Sequence, residues 1–493
     1  MKLKRKYIGA LLVILMTGCT ISYAQDLVWS HNYGGYYNEN ACSGLETNDG
    51  GYLILGSTFF IDSGKYDVYL VKTNSLGEYE WSNTFGGPET EYGYDIIAAN
   101  DNGYLIVGSC QSFGAGKRDV YLIKIDMLGN KLWSKTFGGA EDDEGRSVRS
   151  TSDGGYIICG TTSSSGAGYS DVYFIKTDAN GNLLWSKTYG GSGGESGYAV
   201  RETADSGFIA IGNTGTFGTG YSSIYVVRID SNGDSLWAGA YGGDGSDFGY
   251  SIETTFDKGF MLVGATSSIG AGYTDAYIIK IDSLGNLAWE KTFGGTGEDR
   301  ALSLCRGADG NYLLTGTSNS FSGSNIDIYI VKFAPSGALI WQDTYGGSKA
   351  DYGKMVFQES NFDFIIIGES YSYALGGQDA YILKVAEAST AVGDDEYAFR
   401  PESFNLEQNY PNPFNMQTTI QYSLPRHAPV NLTIFNLLGQ VVREWNIDLQ
   451  RAGTHSVQWD GKNDDGQIVT SGVYFYRLIS DDFAVSQKMV LIK

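Results

Sequence analysis

Carboxylates at fixed spacing are the groups in this sequence with the most obvious potential for chemistry. An acidic residue stands ten positions after each of seven evenly spaced tryptophans. These position-ten acids are Glu39, Glu91, Asp143, Glu195, Asp247, Asp299 and Asp351. A second acidic set recurs at the predicted third strand of each repeat and comprises Asp67, Asp119, Asp171, Asp275, Asp327 and Asp379, with Ser223 in the remaining repeat. Strand alternation places both sets on one face, where they could attract calcium, a hard cation that prefers carboxylate oxygens.

The alternative role of the position-ten acids is structural. Each would accept loop N–H bonds or pair with a basic residue that recurs in the third strand. The basic residues are Lys72, Lys124, Lys176, Arg228, Lys280, Lys332 and Lys384. A functional site usually breaks repeat symmetry, whereas scaffolding repeats. We therefore predict a structural ring, no metal site and no cofactor, with calcium as the alternative.

Nucleophilic and zinc chemistry have little material here. The chain has three histidines, and only His31 lies among the repeats, so a Ser-His-Asp triad or a multi-histidine metal site is not expected. Cys42, Cys110, Cys159 and Cys305 show no Cys-x-x-Cys spacing and are predicted to be buried free thiols. A paired-carboxylate glycosidase stays open, but no catalytic residue stands out.

Tyrosines in variable loops are the candidate ligand-binding residues. They lie between the predicted second and third strands, on the acidic face, among Gly and Ser residues. Aromatic loops of this kind suit sugar rings or partner proteins, and ordinary surface loops are the alternative. The candidates are Tyr66, Tyr169, Tyr221, Tyr273, Tyr371 and Tyr373.

The elements that carry these residues follow from a 52-residue repeat. Trp29, Trp81, Trp133, Trp185, Trp237, Trp289 and Trp341 are equally spaced, with no insertion between copies. Each copy contains four short β-rich runs separated by turns, such as the Asp-Gly turn at Asp153, which suits a hairpin. Four strands per repeat indicate a propeller blade, so residues 26–386 are predicted to form an all-β, seven-bladed β-propeller.

The ends of the array predict how the ring closes. The last copy stops after a third strand, at Lys384, and an isolated fourth strand, Leu27–Tyr33, precedes the first copy. The simplest interpretation is that this N-terminal strand completes the last blade and prevents fraying at an exposed sheet edge.

The repeat motifs carry a resemblance to a known family. Trp-x-x-x-Phe/Tyr-Gly-Gly, Asp-Gly-Gly-Tyr and Asp-x-x-Gly-Asn resemble secreted bacterial propeller repeats of the SBBP type. The turn ending at Trp185 is also similar to the tryptophan-docking turn of quinoprotein propellers. Both resemblances cover residues 27–386 and imply the fold, but neither supplies a catalytic residue.

The C-terminal part changes character after a polar, acidic linker at 387–402. Dispersed motifs follow in order, including Asn409-Tyr-Pro-Asn-Pro-Phe-Asn415 and Ser471-Gly-Val-Tyr-Phe-Tyr-Arg-Leu478. Residues 403–493 resemble the type A C-terminal sorting domain of type IX secretion, and their alternation reads as a small immunoglobulin-like β-sandwich. The resemblance implies export by the type IX machinery across the outer membrane of a Bacteroidetes-like bacterium. A plain immunoglobulin-like accessory module is the alternative.

The N-terminus and the net charge bear on location and partners. Residues 1–24 have the basic start, apolar run and small residues of a signal peptide. Cleavage after Ala24 is favoured over lipidation at Cys19, and no later segment is expected to span a membrane. A net charge of −22 argues against nucleic acid and anionic membranes as partners.

These features together predict a secreted or surface-displayed propeller that acts as a binding or adhesion module for a glycan or protein. The alternative is an extracellular carbohydrate-active enzyme, a glycoside hydrolase or lyase with a carboxylate pair on the acidic face.

Overall fold

The computed structural model describes residues 27–386, apart from 102, 322–324 and 360–361, and residues 405–492, apart from 410–411, 416, 425–427, 451–452, 465 and 481–482. The predicted signal peptide at 1–24, Cys19 and the linker at 387–402 lie outside the described residues. The chain divides into two compact units, Met1–Ser389 and Thr390–Lys493. The described part is all-β: its regular elements are strands, with no helix among them.

The first unit begins with strand β1 (Leu27–Tyr33), and six sheets of four consecutive strands follow. Sheet 1 comprises β2 (Glu39–Glu46), β3 (Tyr52–Phe60), β4 (Lys65–Thr73) and β5 (Tyr79–Phe85). Sheet 2 comprises β6 (Glu91–Ala98), β7 (Tyr104–Cys110), β8 (Asp119–Ile125) and β9 (Lys131–Phe137). Sheet 3 comprises β10 (Asp143–Ser150), β11 (Tyr156–Thr162), β12 (Asp171–Thr177) and β13 (Leu183–Tyr189).

The same pattern continues through the remaining sheets of the first unit. Sheet 4 comprises β14 (Glu195–Glu202), β15 (Phe208–Thr214), β16 (Ser223–Ile229) and β17 (Ser235–Tyr241). Sheet 5 comprises β18 (Asp247–Thr254), β19 (Phe260–Thr266), β20 (Asp275–Ile281) and β21 (Leu287–Phe293). Sheet 6 comprises β22 (Asp299–Arg306), β23 (Tyr312–Ser318), β24 (Asp327–Phe333) and β25 (Leu339–Tyr345). Sheet 7 comprises β26 (Asp351–Gln358), β27 (Phe364–Ser370), β28 (Asp379–Val385) and β1.

Sheet 7 joins the two ends of the array. Strand β1 pairs antiparallel with β28, with Ser30 opposite Leu383 and Tyr33 opposite Ala380. The Tyr33 hydroxyl donates a hydrogen bond to the Gly77 carbonyl of sheet 1. Since β1 leads directly into sheet 1, this one strand links the last sheet to the first by both backbone pairing and covalent connection.

Apolar clusters fill the space between each sheet and the next. The second and third strands of the sheets are almost wholly buried, which explains their continuous apolar runs. One cluster joins sheet 7 to sheet 1 through Ile365, Ile367, Ala41 and Ile54. Equivalent clusters join the other neighbours, so within the described residues the sheets form a closed, β-propeller-like ring.

Every first strand carries a β-bulge at the same register. In β10 the pairing shifts between Gly145 and Ser147, which leaves Arg146 as the extra residue. The partner strand has a glycine opposite the bulge, because a Cβ on Gly160 would lie 1.8 Å from the Glu144 carbonyl oxygen. Bulges re-aim the side chain of the extra residue, and this position matters for the site described below.

The second unit consists of two small antiparallel sheets around a common core. The first sheet contains β29 (Asn405–Leu406), β30 (Thr418–Leu424) and β33 (Gly453–Trp459). The second contains β31 (Ala428–Asn436), β32 (Val441–Gln450), β34 (Gly472–Ser480) and β35 (Phe483–Leu491). Trp459 is fully buried and packs against Phe414 and Tyr474 at the centre of this core.

Candidate functional site

The position-ten acids hold the loops between consecutive sheets. Each is the first residue of a first strand, directly after the loop that leads from the preceding sheet. Asp143 is fully buried, and its Oδ2 accepts the Gly139 N–H at 2.7 Å and the Ser164 hydroxyl at 2.6 Å. The second glycine of the Gly-Gly turn makes the same bond to all seven acids. The repeated carboxylate is thus a fixed acceptor for a turn that would otherwise leave partly buried N–H groups unpaired.

The basic residues of the third strands serve the opposite face. Lys176 contacts Asp153 at 2.9 Å, in the turn between the first and second strands, and Lys280 contacts Asp257 at 3.0 Å. Of the two structural roles considered for the position-ten acids, N–H acceptance is therefore the one seen. Among the described residues, no three His, Cys, Asp or Glu side chains are grouped to hold a metal ion. The four cysteines within the first unit are free thiols.

The six loop tyrosines fall into different environments. Tyr169, Tyr221 and Tyr273 are more than 80% exposed at equivalent positions of sheets 3, 4 and 5. Tyr373 stacks on Tyr381, and its hydroxyl donates to the Gly346 carbonyl at 3.0 Å.

Tyr66 and Tyr371 lie nearer the centre of the ring. Tyr66 lies 5.4 Å from the ring of Tyr92, and Tyr371 lies 6.4 Å from the ring of Tyr352. Both of these neighbours are on first strands. The structure therefore brings Tyr66 and Tyr371 towards the first strands and leaves the exposed tyrosines of sheets 3, 4 and 5 apart from them.

A cavity of about 340 Å³ lies where the first strands converge. The extra residue of each of the seven bulges contributes to its wall, so it sits at the centre of the ring. We call these residues the bulge ring: Cys42, Tyr94, Arg146, Tyr198, Tyr250, Leu302 and Lys354. Unlike the acids and glycines around them, its members differ from repeat to repeat. The bulge ring is thus where the seven repeats differ from one another and give the cavity wall an asymmetric set of side chains.

Arg146 occupies one side of the cavity. Its guanidinium lies 4.0 Å from the ring centre of Tyr94 and 6.0 Å from that of Tyr198, distances that permit cation–π attraction. Its Nη2 donates to Glu144 at 2.5 Å, and Arg118 binds the other oxygen of the same carboxylate. Two guanidinium groups therefore share one carboxylate beside the cavity.

Lys354 stands in sheet 7, across the ring from Arg146. Its Nζ is 3.5 Å from Glu369, and it lies 5.2 Å from the ring centre of Tyr352. Burial raises the pKa of Glu369 above its ordinary value, although Lys354 opposes that shift. Burial, then Glu369, raises the pKa of Cys42 to about 12, while Lys354 and Arg146 both act on that thiol in the opposite sense. Both cations therefore act on the same part of the cavity wall, and the thiol stays protonated.

The residues directly after the bulge form a buried polar network. Asp95 accepts from the Ser43 hydroxyl at 2.9 Å, the Val148 N–H at 3.0 Å and Arg149 at 2.6 Å. These bonds tie the first strands of sheets 1, 2 and 3 together and stiffen the wall that carries the bulge ring.

The bulge ring was not predicted from the sequence, because the predicted site residues were those that the repeats share. The sequence does contain a signal: the position thirteen residues after each tryptophan varies among Cys, Tyr, Arg, Leu and Lys, although the acid and the glycine near it recur in the repeats. Because this residue belongs to a bulge, simple strand alternation does not predict the direction of its side chain.

Residues 414–481 match the model of the FlgD Ig-like domain. The regulatory protein FlaEY of Caulobacter vibrioides is 26% identical over 209 residues, covering 37% of this chain and 21% of FlaEY. The chain thus spans only about a fifth of the length of that relative.

Several solved structures are similar at low sequence identity. PorZ of Porphyromonas gingivalis, described as an essential bacterial surface component of the type-IX secretion system, is 13% identical with a TM-score of 0.35, over 90% of this chain and 69% of PorZ. The Pan2 WD40 domain of Neurospora crassa is 11% identical with a TM-score of 0.43, over 73% of this chain and 98% of that domain. The β-propeller domain of the Trilobed protease from Pyrococcus furiosus is 10% identical with a TM-score of 0.38, over 71% of this chain and 94% of that domain.

Proposed function

We propose that the first unit is a seven-bladed β-propeller that binds a ligand in its central cavity, on a protein that type IX secretion exports to the cell surface or medium. The observation that carries the binding role is the bulge ring. Seven equivalent positions in one structural frame hold side chains of five different types, and all of them face one cavity. A scaffold has no need of this variation, whereas a specific pocket does.

The chemistry of the cavity favours binding over catalysis. Its charged wall residues are Arg146, Lys354 and Glu369. Glu369 pairs with Lys354, and the nearby Glu144 is held by Arg118 and Arg146. A glycoside hydrolase requires two carboxyl groups that flank the glycosidic bond, whereas Glu369 is the single carboxyl group among the described residues of the cavity wall. The carbohydrate-active enzyme is therefore the second candidate.

Export rests on the second unit and on the sequence. Residues 414–481 match an Ig-like domain, and the ordered motifs of residues 403–493 resemble a type A sorting domain. The described residues contain no helix that could span a membrane. In this proposal the second unit is the sorting signal, and the propeller is the domain that is exported.

A glycan array with the purified protein tests the binding role. We expect a restricted set of hits that Tyr94→Ala and Tyr250→Ala abolish, because both rings line the cavity. Tyr169→Ala is the matched control, since it removes an exposed tyrosine that does not line the cavity. Hits that survive both cavity substitutions but disappear with Tyr169→Ala would move the site to the outer loops. Release of reducing sugar from any hit would instead favour the enzyme.

A further inference from the structure

We propose that the central cavity recognises an acidic sugar unit, a saccharide ring that bears a carboxylate, which deepens and rests on the proposed binding function. The first step is the charge of the wall. The cavity wall carries two cations, Arg146 and Lys354, and one carboxylate, Glu369. The adjoining Arg118 and Glu144 balance each other, so one positive charge is left for a ligand.

This local excess is opposite in sign to the whole chain. The net charge of −22 repels anions at long range, but that repulsion between exposed charges is screened beyond about 8–10 Å at physiological salt. The positive charge of the cavity is therefore complementary to a ligand group that carries one negative charge.

The geometry of Arg146 suits a carboxylate. A guanidinium presents five N–H donors in a planar fork, and the Arg146 side chain uses Nη2 for Glu144. Stacking on Tyr94 and the bond to Glu144 fix the plane of the fork. A preorganised fork binds a carboxylate with two parallel hydrogen bonds, which a neutral hydroxyl cannot match.

The remaining wall suits a sugar ring. Tyr92, Tyr94, Tyr198 and Tyr250 line the cavity with apolar faces that end in hydroxyl groups. The C–H face of a pyranose is apolar and its rim is hydroxylated, so the two surfaces are complementary. A cavity of about 340 Å³ is at the small end of the range for ligand pockets, which fits one terminal unit of a polymer better than a folded peptide segment.

Isothermal titration of the purified chain with trigalacturonate, its fully methyl-esterified form and tri-glutamate tests this proposal. The ester keeps the ring and loses only the charge. We expect trigalacturonate to bind, the ester to bind about tenfold or more weakly, and tri-glutamate not to bind.

Variants then assign the effect to the cavity. Arg146→Gln and Lys354→Gln should each weaken trigalacturonate more than the ester, whereas Lys117→Gln, which removes an equal charge at an exposed pair with Glu141, should change neither. Thermal melting of each variant checks that it is folded. Equal affinity for acid and ester, or preference for tri-glutamate, would overturn the acidic sugar. A glycan array with only neutral hits that Tyr94→Ala abolishes would do so as well and leave the proposed binding function standing, whereas absence of any hit would count against both.

Discussion

Asp143 shows how one buried carboxylate organises a turn between two sheets. Its Oδ2 takes two hydrogen bonds, while its Oδ1 has no hydrogen-bond partner among the described residues. Asp143→Asn removes the charge that strengthens both bonds, so we expect a loss of about 1 kcal/mol in the free energy of unfolding. Asp247→Asn and Asp299→Asn should cost about the same, since their contacts are equivalent. Urea denaturation with and without calcium measures the effect.

Asp142→Asn is the matched control because it removes the same charge from the exposed neighbouring residue. It should change stability little, and calcium should leave all of these proteins unchanged. If calcium raised the melting temperature of the unmodified chain by several degrees and Asp143→Asn abolished that rise, the acids would be cation ligands and the structural role would be wrong.

Asp257, on the face opposite the position-ten acids, should make the stability of the protein depend on pH. Its hydrogen bond from Thr255, followed by the contact with Lys280, lowers its pKa from 3.8 to about 2, although burial opposes the shift. A folded-state pKa below the unfolded one contributes stability that is complete above about pH 5 and lost as pH falls towards about 2. Asp257→Asn should therefore flatten the pH dependence of the unfolding free energy in that window.

Urea denaturation across the same pH range provides the measurement. Thr255→Ala keeps the carboxylate and removes its first hydrogen bond, so it should flatten the curve only partly. A pH dependence unaffected by Asp257→Asn would show that other groups govern acid unfolding.

At the residue scale, the sequence predicted repeated roles better than unique ones. The acids, the Asp-Gly turns and the third-strand lysines recur, and their contacts recur with them. Arg146 and Lys354 differ from their counterparts in the other repeats. Their ion-pair partners are not repeated acids either: Glu144 lies on the same strand as Arg146, and Glu369 lies on the strand next to that of Lys354.

At the level of elements, the bulge converts a repeated strand into a variable surface. The glycine opposite it, Gly160 in sheet 3, is required by the close approach of the Glu144 carbonyl. The bulge residue itself is free to vary, because it does not occupy a regular position in the ladder. The positions that repeat for packing and the position that varies thus lie within one eight-residue strand. Four strands per repeat were predictable from turns and apolar runs, whereas the bulge register was visible only in the pairing.

Strand β1 provides the test of closure. Deletion of residues 26–34 removes the outer strand of sheet 7, exposes the edge of β28 and breaks the covalent link into sheet 1. It also removes Trp29 and Tyr33 from the apolar cluster between these sheets. We expect a marked fall in melting temperature and greater aggregation, because an unpaired edge strand recruits other chains.

The matched control is a chain that begins at Gln25 and keeps β1 intact. Differential scanning calorimetry and size-exclusion chromatography should separate the two proteins clearly. Identical melting curves would show that the other six sheets hold the ring without the N-terminal strand.

At the scale of the whole molecule, the two units have separate cores. The aromatic cluster around Trp459 belongs wholly to the second unit, and the clusters between sheets belong wholly to the first. The two-part division was readable from the sequence because the 52-residue period ends and a different set of motifs begins. Ligand chemistry was not readable, because it depends on which side chains the ring brings together from distant repeats.

This separation of cores leads to a prediction about export. Removal of residues 403–493 leaves every apolar cluster of the first unit intact, so the truncated propeller should fold. If the second unit is the sorting signal, the truncated protein should accumulate in the periplasm of the native host and be absent from the surface and medium. Fractionation followed by immunoblotting measures its location, and circular dichroism of the purified fragment confirms that it is folded.

Trp459→Ala in the full chain is a useful companion, because it removes the largest side chain of the second core, at a cost of about 3–5 kcal/mol, and leaves the propeller unchanged. It should reproduce the export defect. Normal export of a folded, truncated propeller would show that residues 403–493 are an accessory module and that the address lies elsewhere.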